Sequence, residues 1–400
     1  MANKILVIGD VANVFASLRK FTKTEIHIIN FPKSGPGNFT YSNDYELFEN
    51  SKVLCQIKKI NEIKNKFDFC ITMGTGEILA YLCNLNFVPF YVGRDIDAPR
   101  FIKNSKEDWY DEPLHKLNFL ERRFYLNAFQ SAVGHIGGRW IIKYLERYSN
   151  KIIRLDRTSI DTTIFNNEIE PLNLKKNKFT FFCPQRMGLG KGTDILWKAL
   201  KHCKSDFEII QVDWFDNTTI EEKTSSLLLK QHLPNQVKLI PMIEREKINS
   251  YYSWADGLIG NLQLGSFENI ELESIFCGTP VICYNDTNVK LFVDKLEIKS
   301  PFLPISNDPE EIAKVIDSFV ESKNFRDELL KKQIEFSKEI SDMKKLANWW
   351  DTFFDQMIEK HKNIHRHSSK INIKFELFLF LLGNKMYFKK ISNFLKRKIN

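Results

Sequence analysis

Two cationic side chains flank a glycine-rich turn in the segment Pro184-Gln-Arg-Met-Gly-Leu-Gly-Lys-Gly-Thr193. Arg186 and Lys191 are five residues apart, after an apolar run typical of a buried strand and before a helical pattern. Cations beside the free amide groups at the start of a helix suit a diphosphate. Two solvated charges on a loop are the alternative that the spacing leaves open. The segment lacks GxxxxGK[ST], so it is not a P-loop.

Three glutamates crowd a second segment, Gly265-Ser-Phe-Glu-Asn-Ile-Glu-Leu-Glu273, at the predicted start of another helix. Glu268, Glu271 and Glu273 lie where carboxylates favour the helix dipole, so capping is one interpretation. Their position beside a Gly-Ser loop favours a second interpretation, which is ligand binding.

Other strand ends carry weaker signals. Gly9 follows the first apolar run, but GxGxxG is absent, which disfavours a dinucleotide cofactor and leaves a tight turn with Asp10 as the helix cap. Asp95 and Asp97 form a D-x-D that suits a divalent metal, although such a pair is expected about once by chance in a chain of this length. His135 lies between glycines and is most simply a structural histidine.

The elements that must position these residues alternate between strand and helix. Strands are predicted at 4–8, 25–30, 67–72 and 90–92, and again at 179–183, 207–212, 237–241, 256–261 and 280–283. The helices among and after them are predicted near 10–19, directly after Gly74-Thr-Gly-Glu77, and near 113–131, 137–148, 193–202, 219–231, 245–254, 268–277, 308–340 and 342–362. This alternation predicts parallel sheets covered on both faces, with ligands at the carboxyl ends of the strands. The polar stretch 166–178 is the predicted linker between two doubly wound units.

The composition excludes several classes of protein. The 400 residues are 43% hydrophobic and 27% charged, which indicates a folded domain protein rather than a disordered or fibrous one. Seven cysteines without a CxxC pair predict a reducing compartment, buried thiols and no zinc site. The apolar runs are far shorter than the roughly 20 residues of a membrane span. We therefore expect a cytoplasmic protein.

Basic charge is concentrated at the C-terminus. Residues 360–400 contain eleven Lys or Arg and one acid, whereas residues 1–359 contain 47 bases and 49 acids. The nearly neutral body argues against nucleic-acid binding. The tail, 363–400, mixes cations with apolar residues and predicts an amphipathic segment on an anionic membrane surface, at the inner face of the cell membrane. A disordered tail or a helix packed on the body is the alternative. The helix before it, 342–362, docks on its own domain or bridges the two.

The motifs together resemble a known family. Arg186 to Asp194, Ala255-Asp256 and Glu273-Ser-Ile-Phe-Cys-Gly-Thr-Pro-Val281 resemble the nucleotide-binding half of family 4 of the GT-B glycosyltransferases. The segment Thr158-Ser-Ile-Asp-Thr-Thr-Ile-Phe165 is similar to the inter-domain stretch of that family. The resemblance spans about 155–345 and is architectural before that.

This resemblance implies two Rossmann-like domains and a C-terminal extension, with boundaries at 1–165 for the acceptor domain, 166–345 for the donor domain and 346–400 for the helix and basic tail. It implies sugar transfer from a UDP- or GDP-sugar to a glycan or lipid-linked acceptor. The family also implies retention at the anomeric carbon, no metal and no cofactor beyond the nucleotide-sugar.

Carried over by position, the resemblance implies that Arg186 and Lys191 hold the donor diphosphate and that Glu273 binds the ribose hydroxyls. Gly265 stands where the family usually has a first glutamate, so Glu268 is expected to replace it. Glu268 and Asp95 are the candidate catalytic residues. The remaining candidate donor contacts are Gly9, Gly265, Ser266, Phe267 and Asn269.

Other departures from the family motif keep two alternatives open. Val92 stands where the family often has a histidine, and Ser159 replaces the glycine of the inter-domain stretch. One alternative is a nucleotide-sugar-binding protein without transfer activity. The other is a metal-dependent transferase that uses Asp95 and Asp97.

Overall fold

The computed structural model describes residues 3–32, 46–215 and 219–361. They form two compact units. Of the described residues, the first contains those up to Gly137, Ile141–Arg154 and Lys344–His361, and the second contains Gly138–Trp140 and those within Leu155–Met343. The boundaries 1–165, 166–345 and 346–400 stay predictions.

The first unit contains a five-stranded parallel sheet. Its strands are β1 (Lys4–Ile8), β2 (Glu25–Asn30), β3 (Glu46–Leu47), β4 (Phe69–Thr72) and β5 (Phe87–Pro89), in the order β3-β2-β1-β4-β5. A separate parallel pair joins β6 (His135–Gly137) and β7 (Ile152–Arg154). The helices are α1 (Val14–Leu18), α2 (Val53–Ile63), α3 (Gly76–Leu82), α4 (Arg94–Asp97), α5 (Phe119–Ser131) and α6 (Ile142–Tyr148).

The apolar runs found in the sequence form the centre of this sheet. β1 and β2 have the predicted bounds, and the four apolar residues of β1 are fully buried. The strand expected at 90–92 lies three residues earlier, at Phe87–Pro89. Phe90 makes an isolated bridge to Ile136 of β6 instead, because the chain leaves the sheet edge there. The sequence pattern did not predict α2, in which only Gln56 and Ile60 are buried, so that its apolar face is narrow.

The second unit repeats the architecture. Its strands are β8 (Phe179–Cys183), β9 (Phe207–Val212), β10 (Val237–Ile240), β11 (Gly257–Ile259) and β12 (Val281–Ile282), all parallel, in the order β10-β9-β8-β11-β12. A hairpin joins β13 (Leu291–Val293) to β14 (Leu296–Ile298). The helices are α7 (Thr193–Ala199), α8 (Ile220–Gln231), α9 (Ile248–Trp254), α10 (Asn269–Phe276), α11 (Pro309–Glu321) and α12 (Lys323–Ile340).

Both faces of the second sheet are buried. Phe181 and Cys183 of β8 pack in one apolar cluster with α7 and α11, whereas Phe182 between them packs in another with α9 and α10. Adjacent residues of a strand point to opposite faces, so a continuous apolar run requires helices on both sides. The single helix predicted at 308–340 is two helices, since Ser322 has extended backbone and caps α12.

The last described helix, α13 (Met343–His361), packs within the first unit. Trp350 is fully buried, with its ring 4.9 Å from that of Phe15 and 5.8 Å from that of Phe90. Asp351 accepts hydrogen bonds from the backbone and hydroxyl groups of Thr24. The predicted membrane-binding segment, 363–400, lies outside the described residues. Within the described ranges, no helix is long and apolar enough to cross a membrane.

Candidate functional site

The candidate donor site lies in the second unit, where β8 and β11 end side by side. The loop after β8 carries Arg186 and Lys191, and the loop after β11 leads into α10 with Glu268. β8 pairs directly with β11, so the two loops meet although they are far apart in sequence. This is the edge at which parallel sheets bind ligands.

Gly192 allows the close approach of the two loops. Its φ of +72° places it in the left-handed region, and a Cβ there would lie 2.9 Å from the carbonyl carbon of Leu262. Only glycine tolerates both conditions without strain. The backbone N–H of Leu262 donates to the carbonyl of Lys191 across the gap.

Lys191 and Glu268 form an ion pair in this site. The Nζ of Lys191 contacts both carboxylate oxygens of Glu268, at 2.5 Å from Oε1. The side-chain amide of Asn261 donates to Glu268 Oε2 at 3.1 Å. Burial raises the pKa of Glu268, but the Lys191 charge and these hydrogen bonds, with a contribution from Arg186, outweigh it and hold the pKa below its ordinary value. Glu268 is therefore an anion near neutral pH.

Glu271 supports this arrangement from the first turn of α10. It is fully buried, and its carboxylate accepts the backbone N–H groups of Asn261 at 2.9 Å and Glu268 at 2.8 Å. Glu268 in turn caps the N–H of Glu271, which completes a capping box. Burial and the neighbouring Glu268 charge raise the pKa of Glu271 to about 7. The spacing of three between these residues was the sequence signal for this role.

Glu273 is already engaged with protein groups. It forms a short ion pair with Arg245, and the hydroxyl of Tyr252 donates to its Oε2 at 3.1 Å. The side chain of Glu273 is 5% exposed and that of Arg245 is 14% exposed. Burial lowers the pKa of Arg245, but the charge of Glu273 more than offsets this and raises it. Arg245 was not among the predicted site residues, because nothing in the local sequence pattern distinguishes it from the cations around it.

The Gly265–Asn269 segment is held by packing. Gly265 has φ of +70°, and a Cβ there would lie 2.5 Å from the Cβ of Asp286. Ser266 is buried, and the Phe267 ring packs in the core against Phe302 at 5.6 Å. Asn269 accepts a hydrogen bond from Thr158 at 2.9 Å. The structure thus places Gly265 and Asn269 beside the site and the Phe267 side chain away from it.

A third cation adjoins this loop. Arg139 donates from its guanidinium to the carbonyl of Phe267 at 3.1 Å and lies 5.0 Å from the centre of that ring. Burial lowers the pKa of Arg139, while the charges of Asp156, Glu268 and Glu271 act in the opposite direction. Arg139 was not among the predicted site residues. The only local signal was its position after Gly137-Gly138 at a strand end.

In the first unit, the predicted Gly9 turn forms after β1. Gly9 has φ of +82°, and a Cβ would lie 2.6 Å from the carbonyl oxygen of Met73. The helix expected directly after Asp10 begins at Val14, with Asn13 at its N-cap. The Asp10 carboxylate still accepts the N–H groups of Phe15 and Ala16 in the first turn of that helix, at 3.0 and 2.9 Å. Burial raises the pKa of Asp10 to about 6 despite these bonds.

The D-x-D pair diverges in the structure. Asp95 is exposed, whereas Asp97 is buried and accepts the N–H of Ala98 at 2.7 Å. Among the residues that the structure describes, no group of three or more His, Cys, Asp or Glu side chains is placed to hold a metal ion.

Asp95 lies near a hydrogen-bonded chain that sequence analysis did not assemble. The Tyr91 hydroxyl is 3.3 Å from both Glu77 Oε2 and His135 Nδ1. Burial and the Asp95 charge raise the pKa of Glu77 to about 8. Burial and the Lys151 charge lower the pKa of His135 to about 4. His135 is therefore a buried, neutral histidine, and its predicted structural role fits this position.

Residues 165–339 match the family described as glycosyl transferases group 1. No curated protein matches the chain at a significant level. Three solved structures illustrate the similarity of fold. HepE from Anabaena in complex with UDP and glucose is 15% identical, with a TM-score of 0.62 over 88% of this chain and 100% of that chain. Sucrose-phosphate synthase from Thermosynechococcus elongatus is 14% identical, with a TM-score of 0.65 over 90% and 100%. A glycosyltransferase from Rickettsia africae is 18% identical, with a TM-score of 0.56 over 89% and 99%.

These matches confirm two predictions. The resemblance to the GT-B glycosyltransferases holds, and so does the fold class of two Rossmann-like units with a helical C-terminal extension. The roles of the individual site residues stay predictions.

Proposed function

Because residues 165–339 match glycosyl transferases group 1 in a chain with the GT-B fold, we propose that this protein transfers a sugar from a UDP- or GDP-sugar to a glycan or glycolipid. The observation that carries the proposal is the pair of cations, Arg186 and Lys191, in the loop after β8, which meets the loop after β11. As the bond to the sugar breaks, the leaving diphosphate gains negative charge, which fixed cations in a partly buried site stabilise.

A UDP-linked donor is the first candidate. HepE, which shares the fold, has been crystallised with UDP and with UDP-glucose. We propose that Glu273 accepts hydrogen bonds from the ribose, sharing its carboxylate with Arg245 and Tyr252. Gly9, Gly265, Ser266, Phe267 and Asn269 complete the proposed donor contacts, with backbone groups as the contacts of Phe267. Glu268 and Asp95 remain the proposed catalytic residues, and transfer with retention and without metal is part of the proposal.

The first test is binding of UDP, GDP, ADP and their common sugar conjugates to wild type and Lys191→Ala, measured by thermal shift and calorimetry. A ligand that binds only the folded state raises the unfolding midpoint. We expect Lys191→Ala to lower the affinity for the preferred nucleotide by about a hundredfold, because the variant loses one charge-assisted hydrogen bond to the diphosphate. Lys198→Ala is the matched control. This lysine lies on α7, one to two turns after Lys191, its side chain is 62% exposed, and among the contacts described it pairs only with Asp194. Equal affinity in wild type and Lys191→Ala would contradict the assignment of this loop.

A second candidate function is nucleotide-sugar binding without transfer. The observation behind it is Gly265, whose φ and contact with Asp286 leave no room for the glutamate that the family usually has there. This candidate requires tight donor binding with no sugar released to any acceptor or to water. Nucleotide release from a bound donor would remove it, and release abolished by EDTA would favour the metal-dependent alternative at Asp95 and Asp97.

For the basic tail we propose binding to an anionic membrane surface, which would fit a lipid-linked acceptor at the cytoplasmic face. The support is the composition of residues 363–400. Co-sedimentation with phosphatidylserine vesicles that is unchanged on deleting this segment would contradict it.

A further inference from the structure

The ion pair between Lys191 and Glu268 places an anion of the protein inside the proposed diphosphate site. We propose that Glu268 is a specificity residue that sets the charge of this site, so that it favours a nucleoside diphosphate ester such as a nucleotide-sugar over the free nucleoside diphosphate. The inference rests on the proposed function, because it assumes that the diphosphate binds at Arg186 and Lys191.

The contacts show that Glu268 acts on the cations of the site. Both of its oxygens lie against the Lys191 ammonium, and its charge interacts with Arg186 and Arg139. The other two carboxylates nearby are differently placed. Glu273 is neutralised by Arg245, and Glu271 is turned into the backbone of the loop. Glu268 is therefore the carboxylate that reduces the net positive charge at the place where the diphosphate would bind.

The geometry keeps Glu268 in this position. Asn261 donates to it from the end of β11, and the capping box with Glu271 fixes its backbone at the start of α10. Lys191 and Glu268 are 16% and 30% exposed, so their charges are only partly screened by water. A ligand phosphate that reaches Lys191 must therefore approach a fixed carboxylate.

The two ligands differ by one charge. A free nucleoside diphosphate has a terminal phosphate with a second ionisation near pH 6, whereas the sugar ester lacks that proton site (about one charge fewer at pH 7.5). One unit charge about 6 Å away, in a dielectric between those of the interior and water, changes an affinity by about tenfold. Glu268 therefore weakens binding of the product nucleotide more than binding of the nucleotide-sugar donor. The same repulsion favours release of the nucleotide after transfer.

The experiment compares UDP and UDP-glucose binding by calorimetry at pH 7.5 in wild type, Glu268→Gln and Glu268→Ala. Glutamine keeps the size and a carbonyl oxygen for Asn261 but removes the charge. We expect both variants to bind UDP more tightly, and the ratio of the UDP to the UDP-glucose dissociation constant to fall by about tenfold. Glu311→Gln is the control, since this carboxylate pairs with Lys314 on α11, and its ratio should equal that of wild type. GDP and GDP-mannose replace the pair if wild type prefers guanosine.

Each other outcome has a distinct meaning. Weaker UDP-glucose binding with unchanged UDP binding would assign Glu268 to the sugar and overturn the inference. An unchanged ratio in both variants would make the ion pair purely structural and overturn it as well. If wild type binds neither the uridine nor the guanosine pair, the proposed function itself fails. Circular dichroism at the assay temperature verifies that the variants are folded.

Discussion

Arg245 and Glu273 are the most deeply buried ion pair in the proposed donor site. Their side chains are 14% and 5% exposed, and the carboxylate also accepts from Tyr252. A buried pair of this kind contributes little relative to two apolar residues, but removing one partner leaves an unpaired charge. Separating Glu273 from Arg245 is therefore costly, and the proposed ribose contact requires that the hydroxyl share the Glu273 carboxylate with Arg245.

We expect Arg245→Met to lower the free energy of unfolding by about 3 kcal/mol, because Glu273 is left buried without its ion-pair partner. The double variant Arg245→Met with Glu273→Gln should recover much of the loss. Lys247→Met, at an exposed cation two residues away, should be indistinguishable from wild type. Urea denaturation followed by tryptophan fluorescence measures all three. Equal stability of Arg245→Met and Lys247→Met would show that the pair is not buried in solution.

The Glu77–Tyr91–His135 chain ties the stability of the first unit to pH. Burial lowers the pKa of His135 to about 4, so the unfolded chain binds the histidine proton more readily than the folded one. Stability from this residue is complete above the unfolded pKa of about 6.5 and is lost as the pH falls through 4. Glu77 acts in the opposite sense: its pKa is raised to about 8, so its contribution is lost as the pH rises through 8.

We expect His135→Gln to remove the histidine part of this dependence. Wild type should lose up to about 3 kcal/mol between pH 6.5 and 4 relative to the variant, because the pKa of His135 is about 6.5 in the unfolded chain and about 4 in the folded one. Taking the difference between the two proteins cancels the titration of Glu77 and Asp10. Urea midpoints at half-unit pH steps provide the measurement. Parallel curves across this range would mean that His135 is accessible to water in the folded protein.

At the scale of elements, the loop between β11 and α10 depends on one glycine. Gly265 needs the left-handed region, and its missing Cβ leaves room for Asp286. Gly278, which follows α10, has a similar φ of +87°, but a Cβ there would have only Asn167 at 3.9 Å. Both positions require a positive φ, but only at Gly265 would an added Cβ collide with a neighbour. Alanine variants at the two positions therefore distinguish backbone strain from a steric collision.

We expect Gly278→Ala to destabilise the protein by about 1 kcal/mol through strain alone. Gly265→Ala should cost about 3 kcal/mol, since a collision with the fixed Cβ of Asp286 adds to the strain. It should also weaken nucleotide-sugar binding, because the proposed donor contacts Ser266 and Asn269 move with the loop. Thermal unfolding and the calorimetric assay test both expectations. Equal losses at the two positions would show that Asp286 moves aside freely.

At the scale of the whole molecule, the chain returns to its first unit through α13. Trp350 is fully buried against Phe15 and Phe90, and Asp355 accepts a hydrogen bond from Asn3 at 2.6 Å. The C-terminal helix therefore completes the core of the N-terminal unit. A substitution that removes packing from α13 should therefore lower the stability of the first sheet.

We expect Trp350→Ala to destabilise the first unit by about 4 kcal/mol, since it removes a large buried ring. Trp349 is the matched control: it is half-buried and stacks on Phe353 at 5.3 Å, so its alanine variant should cost about 1 kcal/mol. Hydrogen exchange of the backbone amides shows which strands are destabilised. Trp350→Ala should speed exchange in β1 and β4 more than in β8 and β9, and the reverse order would contradict the packing.

The local pattern of the sequence was sufficient for the fold class. The apolar runs at Lys4–Ile8 and Phe179–Cys183 form strands with the predicted bounds, because a run buried on both faces has few other solutions. The cation pair at Arg186 and Lys191 was also visible in the sequence, since a strand end and a glycine turn mark it. Local signals failed at element ends such as Phe87–Pro89, where a contact with β6 decides how far the strand extends.

Only the tertiary structure decided which charges meet. Lys191 and Glu268 are 77 residues apart, and they pair because β8 lies next to β11 in the sheet order. Arg245 reaches Glu273, and Arg139 reaches the carbonyl of Phe267 across 128 residues, for the same kind of reason. A side chain's chemistry is local, but its partner depends on strand order and loop closure, which no window of sequence contains. The sequence alone determined two doubly wound units and a turn that carries Arg186 and Lys191. The fold determined that the Glu268 carboxylate pairs with Lys191 of that turn.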